Sequence, residues 1–133
     1  MIKKIIILGS TGSIGQSTLD VIKNNKKFRV LVLTSNNNIK ILYKQAVRYR
    51  VKNVIIENYN SYIKYKDFFK KKKINLHLGI SFLKKIVKKK VDYCINSISG
   101  ISGLEPTIQS IPLTKNILIA NKESIITGWS IIK

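Results

Sequence analysis

The sequence predicts an α/β fold in which a doubly wound, mostly parallel sheet carries helices on its flanks. Three observations predict it. Short apolar runs alternate with stretches of helical period, the pattern of strand-helix-strand units. A glycine loop stands between the first apolar run and the first helical stretch. The chain has 133 residues, 44% of them hydrophobic, which suits one core and one domain over residues 1–133.

Ile5 to Leu8 reads as the first buried strand. Beyond the glycines, Ile14, Thr18, Val21 and Ile22 fall on one helix face that ends near Asn24-Asn25. Val30 to Leu33 is the second strand; Ile39, Leu42, Tyr43, Ala46 and Val47 repeat the helical template, and Val54 to Ile56 gives a third strand. Tyr62, Tyr65 and Phe69 lie on one face of a polar helix closed by the lysines at 70–73. Ile74 to Leu78 suits an edge strand, and Ile80, Leu83, Ile86 and Val87 a helix face. Val91 to Ile95 is a strand that leads into a loop from Ser97 to Gly103. Pro106 suits the first position of a helix running to Ile111, because a proline there forfeits no hydrogen bond. Asn116 to Ala120 is the last strand, and Glu123 opens a final helix that reaches Lys133 without a cap, so the chain reads as cut short.

The charge is extreme: 25 Lys and Arg against six Asp and Glu give a formal +19. Two readings stay open. The lysines bind or steer a polyanion, or the chain simply uses Lys as its generic polar residue. Only Arg29, Arg48 and Arg50 are arginines, so the guanidinium fork that grips bases and phosphates is scarce. Cys94 is the only cysteine, which excludes an intrachain disulfide or a cysteine metal cluster and suits a reducing, cytoplasmic setting. The apolar run after Met1-Ile-Lys-Lys is too short for a signal peptide, and no segment is long enough to span a membrane. His77 stands alone and reads as structural or solvent-facing, Cys94 as a buried inert thiol, and Trp129 as an anchor for the last helix.

Gly9, Gly12 and Gly15 stand directly after a strand and directly before a helix. Glycines permit a tight turn and close backbone approach, and the helix start offers free N–H groups to a pyrophosphate, a Rossmann-like dinucleotide site. Ser10, Thr11 and Ser13 add hydroxyls. An NAD site places a carboxylate at the end of the second strand to hold the ribose hydroxyls; here the turn reads Thr34-Ser35-Asn36-Asn37-Asn38, without an acid, and favours NADP(H).

The run from Ile7 to Val21 resembles, nearly residue for residue, the opening of the deoxyxylulose phosphate reductoisomerases. Ser99-Gly-Ile-Ser-Gly-Leu-Glu-Pro-Thr107 and Ile119-Ala-Asn-Lys-Glu-Ser-Ile125 resemble two further segments of that family, in its order and spacing. The resemblance implies an NADPH-dependent oxidoreductase and isomerase of non-mevalonate isoprenoid biosynthesis, which converts 1-deoxy-D-xylulose 5-phosphate to 2-C-methyl-D-erythritol 4-phosphate. It implies that Thr11, Gly12, Ser13 and Ile14 hold the NADPH phosphates and that Asn36, Asn37 and Asn38 border the adenosine ribose. Position 37 departs from the Lys or Arg often found there. Asn121 and Glu123 would meet the nicotinamide end, and Lys122 the phosphorylated sugar, where an ammonium neutralises a phosphate or a developing oxyanion.

The family also uses a divalent metal, Mg or Mn, held by carboxylates in a segment expected beyond Lys133. On that reading the chain is the NADPH-binding N-terminal domain, without the metal-binding catalytic and C-terminal parts, inactive alone and part of a homodimeric family. Two rival readings are a basic nucleic-acid module, with Tyr43, Tyr49, Tyr62 and Tyr65 for stacking, and a different NADP-dependent reductase. No nucleic-acid motif supports the first, and Ala120-Asn-Lys-Glu-Ser124 argues against the second.

Overall fold

Ile5, Ile6, Ile7 and Leu8 are all buried, which a strand achieves only when both faces of its sheet are covered. They form most of β1 (Lys3–Leu8). The computed structural model, which describes residues 1–98 and 100–120, places β1 inside a six-stranded sheet. The other strands are β2 (Phe28–Ser35), β3 (Asn53–Ile56), β4 (Asn75–Leu78), β5 (Val91–Asn96) and β6 (Thr114–Ile119). Their order is β4-β3-β2-β1-β5-β6, and every pairing is parallel. Ile74 to Leu78 is at the sheet edge, as its sequence suggested.

Helices α1 (Ser13–Ile22), α2 (Ile39–Arg48) and α3 (Tyr59–Lys71) alternate with the first strands, followed by the one-turn α4 (Leu83–Ile86) and by α5 (Leu104–Ser110). The period of two along β1 sorts them. Ile5 and Ile7 join Leu19 of α1, Leu42 and Ala46 of α2 and Phe69 of α3 in one core. Ile6 and Leu8 join Ile80, Leu83, Val87 and Cys94 in the other. This is the doubly wound arrangement expected, with the strand order reversing between β1 and β5. A register shift between Ile5 and Ile6 leaves one extra residue in β2, so that Val30 and Val32 face opposite cores.

Helical phase differs from expectation in two places. On α1 the buried residues are Gly15 and Leu19, with Ile22 packed beside them, whereas Ile14 and Val21 are exposed. On α2 the polar Gln45 is buried and Val47 is exposed. Both shifts arise because the contact partner is the glycine loop and not only aliphatic core. Pro106 is the third residue of α5 instead of the first, and the helix from Ile80 is a 3-10 turn followed by a single α-turn. The helix expected from Glu123 to Lys133, with Trp129, lies outside the described residues.

α2 and α3 end in the same way without a glycine. Val51 N–H donates to Ala46 O and Arg50 N–H to Val47 O; Ile74 N–H donates to Phe69 O and Lys73 N–H to Lys70 O. Each pair closes a Schellman cap, and its left-handed position is held by Arg50 (φ 56°) and Lys73 (φ 61°). Val51 and Ile74 are buried just beyond, and their burial offsets the backbone cost. Lys73→Gly is therefore expected to raise stability by about 0.5–1 kcal/mol in chemical denaturation. A loss would show that the lysine stem contributes more than the strain.

Candidate functional site

Three glycines in one loop do three different things. Gly9 ends β1 with φ 74°, and a Cβ there would lie 2.8 Å from Ile98 Cγ1. Gly15 faces the loop itself: a Cβ would stand 2.5 Å from both Gly9 O and Ser10 Cα. No rotamer change relieves a clash with backbone, so α1 rests on the loop only with glycine at this position. Gly12 is unlike both. A Cβ there would meet only Gly9 O, at an ordinary 3.6 Å, and its backbone is extended. The fold does not require glycine at residue 12; open space above the first turn of α1 does.

Gly12 is the residue preceding α1 and has no side chain with which to cap it. The first turn's N–H groups thus point into the space that its missing side chain leaves open. Around them lies a cleft of about 450 Å³ lined by residues that follow β1, β2, β3 and β5, at the carboxyl edge of the sheet. That edge, at the point where strand order reverses, is where ligands bind in open α/β sheets.

Buried polar groups hold the loop in place. Ser10 N–H donates to Thr34 O (2.9 Å), and Gly9 N–H to the Thr34 hydroxyl (2.9 Å). The Ser10 hydroxyl donates to Gln45 Oε1 while Gln45 Nε2 returns a bond to Ser10 O, each at 2.8 Å. The hydroxyls of Thr11 and Ser35 are hydrogen-bonded to each other at 2.8 Å. On the other side, the Ser97 hydroxyl donates to Leu8 O (2.7 Å) and lies 3.0 Å from Gly9 O. Asn96, fully buried, donates to Gly103 O (2.8 Å) and to the Thr107 hydroxyl, and accepts from Ile98 N–H (3.1 Å). A network of buried hydrogen bonds of this kind orders a loop that has no regular structure.

Of the residues singled out from sequence, Thr11, Gly12 and Asn36 line the cleft. Ser13 and Ile14 begin α1 beside it, both exposed. Asn37 and Asn38 are exposed and continue past it into α2. Asn121, Lys122 and Glu123 lie outside the described residues. The acid-free turn is shorter than its sequence suggested: β2 continues through Ser35, and the Thr34 and Ser35 hydroxyls are already committed to the loop.

Sequence reasoning did not find Gln45, Ser97, Glu57 or Glu105. Glu57, directly after β3, and Glu105, in the first turn of α5, both line the cleft. Burial against the wall raises the Glu57 pKa; the Ile80 N–H opposes this and the Glu105 carboxylate adds to it. Even in a chain of formal charge +19, the two carboxylates face this cleft together and no Lys or Arg lines it. Burial pushes the Cys94 thiol up to about 11, consistent with an inert core residue. His77, lowered by burial, lies 3.2 Å from Asn53 Oδ1 and packs on Phe82, a structural placement on the edge strand.

The family model described as 1-deoxy-D-xylulose 5-phosphate reductoisomerase matches residues 5–128. The chain belongs to that family. A relative from Pelagibacter ubique, named 1-deoxy-D-xylulose 5-phosphate reductoisomerase, is 48% identical over 134 residues, covering 98% of this chain and 34% of the relative. One of the same name from Caldanaerobacter subterraneus is 41% identical, again over 98% of this chain and 34% of its own length. The Zymomonas mobilis reductoisomerase, solved in complex with NADPH, superposes with a TM-score of 0.88 at 31% identity, over 99% of this chain and 35% of that one. A reductoisomerase solved with NADPH, fosmidomycin and magnesium gives a TM-score of 0.87 at 27% identity, over 98% and 33%. The chain thus spans about a third of the length of the family members it matches.

The division of labour among the glycines is testable by stability alone. Gly15→Ala is expected to destabilise the fold by about 2 kcal/mol or more through backbone overlap, and Gly12→Ala by less than about 1 kcal/mol. Equal losses in urea titrations would overturn the distinction. For Glu57, whose folded pKa is raised, the sign is fixed: its favourable contribution is present below the unfolded value and is lost as pH rises through the folded one. Glu57→Gln is therefore expected to melt above wild type at pH 7 and to lose that advantage below about pH 4.5. A pH-independent difference would sink this account.

Proposed function

We propose that this chain is the NADPH-binding part of an enzyme that rearranges 1-deoxy-D-xylulose 5-phosphate and reduces the product to 2-C-methyl-D-erythritol 4-phosphate. The observation that carries the reading is the open first turn of α1 above Gly12, at the switch point of a sheet whose reductoisomerase neighbour was solved with NADPH. The cofactor brings a hydride to this chemistry, and the chain's own residues seat it. N–H groups of Ser13 and Ile14, with the Thr11 hydroxyl, take the pyrophosphate, which approaches over Gly12, whose own N–H donates to Gly9 O. Asn36, Asn37 and Asn38 border the adenosine ribose, where no carboxylate repels a 2′-phosphate. Glu57 and Glu105 offer acceptors to hydroxyl or amino donors and discourage the phosphates from that wall.

From the motif alone, Asn121 and Glu123 are proposed for the nicotinamide end and Lys122 for the substrate phosphate. Among the described residues no three His, Cys, Asp or Glu side chains gather into a metal site. A divalent cation of the kind bound in the neighbouring enzyme thus has no fitting ligands there, and no step is assigned to one. Nor is any described helix long and apolar enough to cross a membrane. A cytoplasmic, homodimeric whole protein belongs to the same proposal.

Calorimetric titration tests it. Wild type is expected to bind one NADPH, and Gly12→Ala to bind it about tenfold or more weakly, because a Cβ occupies the phosphate approach. Equal affinity would remove the loop from the site. With magnesium, NADPH and 1-deoxy-D-xylulose 5-phosphate, the chain alone is expected to leave NADPH absorbance unchanged; turnover would place the catalytic groups within these residues.

A further inference from the structure

The second large concavity lies at the opposite edge of the sheet. It is a groove of about 810 Å³ formed where α1 and α2 run down into β2 and β3, at the amino ends of the strands. Six cations line it: Lys23, Lys26, Arg29, Arg48, Arg50 and Lys52. No carboxylate does. The salt bridge found among the described residues, Lys115 to Asp92, is elsewhere.

A basic chain has cations everywhere, so their number alone decides nothing. Their kind does. Among 25 Lys and Arg only three are arginine, and all three line this one groove. Where only positive charge is needed, this chain uses lysine; a planar fork that binds two oxygens at once is what arginine adds. Arg50 also occupies the left-handed position of its helix cap, at φ 56°, where glycine is the unstrained choice. Arg48 lies 5.8 Å from the Tyr49 ring, and Tyr49 and Phe28 give the groove aromatic surface. Like charges brought together repel, Asp20 beside Arg48 and Tyr49 offsets six cations only in part, and an anion spanning several of them relieves the rest.

We infer that this groove is a binding site for a run of linked phosphates, either a free oligophosphate or the phosphate tail of a nucleotide, distinct from the cleft at the carboxyl edge. The spread of the six cations over the ends of two helices and two strands suits several phosphates better than one. The guanidiniums grip oxygens in pairs and the lysines supply the field around them.

Inorganic tripolyphosphate and ATP are the probes, titrated calorimetrically in 150 mM salt with NADPH present to occupy the other edge. Wild type is expected to bind both; tighter ATP binding indicates a nucleotide, and equal binding indicates the phosphates alone, each in support of the site. Arg29→Lys/Arg48→Lys/Arg50→Lys retains the net charge and is expected to bind tripolyphosphate about tenfold more weakly, with its melting temperature confirming that it folds. Arg50→Gly relieves backbone strain, so weaker binding without loss of stability assigns Arg50 to the ligand. Lys73→Gly, the same relief at the other cap, should leave binding unaltered. Absence of binding by wild type, or a triple lysine variant within twofold of it, would overturn the inference in favour of a diffuse lysine surface.

Discussion

Helix α1 sits on the glycine loop with no clearance at all. With hydrogen alone on residue 15, the helix approaches until Gly9 O and Ser10 Cα lie where a side chain would be. That contact sets the position and roll of α1, and other features follow from it. Leu19, one turn further on, enters the core beside Ile5 and Ile7. Gly12, at the open end of the helix, lines the cleft. Ile14 and Val21, apolar residues that would serve well in a core, are rotated to the surface. A single methyl group would separate helix and loop, and the anion-binding geometry with them.

Much of this was legible in the sequence, for reasons that differ by element. Buried parallel strands need apolar residues on both faces, so Ile5 to Leu8 and Val54 to Ile56 declare themselves as unbroken runs. Helix phase was readable only where the partner was aliphatic. On α1 the decisive residue is a glycine, which carries no hydrophobic signal, and on α2 it is Gln45, whose amide is buried because it is bonded at both ends to Ser10. Likewise Arg50 and Lys73 hide the ends of α2 and α3, since a cap without glycine reads as ordinary polar chain. The loop of the site was visible because its residues are contiguous. Its far wall was not: Glu57 and Glu105 meet through the fold, 48 positions apart, and nothing local in either segment marks them.

The two edges of the sheet have opposite electrical character. At the carboxyl edge, backbone N–H groups, hydroxyls and two carboxylates line a cleft in a chain that is otherwise strongly positive. At the amino edge the lining is cationic throughout its charged positions. The overall charge attracts anions from a distance under low salt but does not decide where they settle. Placement comes from short-range geometry: helix N–H groups at one edge, guanidinium forks at the other. Composition read in bulk averages these two edges, which is why arginine scarcity looks like evidence against phosphate binding until the three arginines are seen together.

The Ser97 hydroxyl, donating to Leu8 O and close to Gly9 O, fastens the ends of β1 and β5 to each other at the point where the strand order reverses. β1 and β5 are hydrogen-bonded neighbours, and this hydroxyl extends their pairing past the ends of the strands. The loop after β1 and the segment after β5, which form two walls of the cleft, are thereby tied to each other as well as to the sheet. One serine side chain therefore serves two walls at once, and its loss would loosen both together.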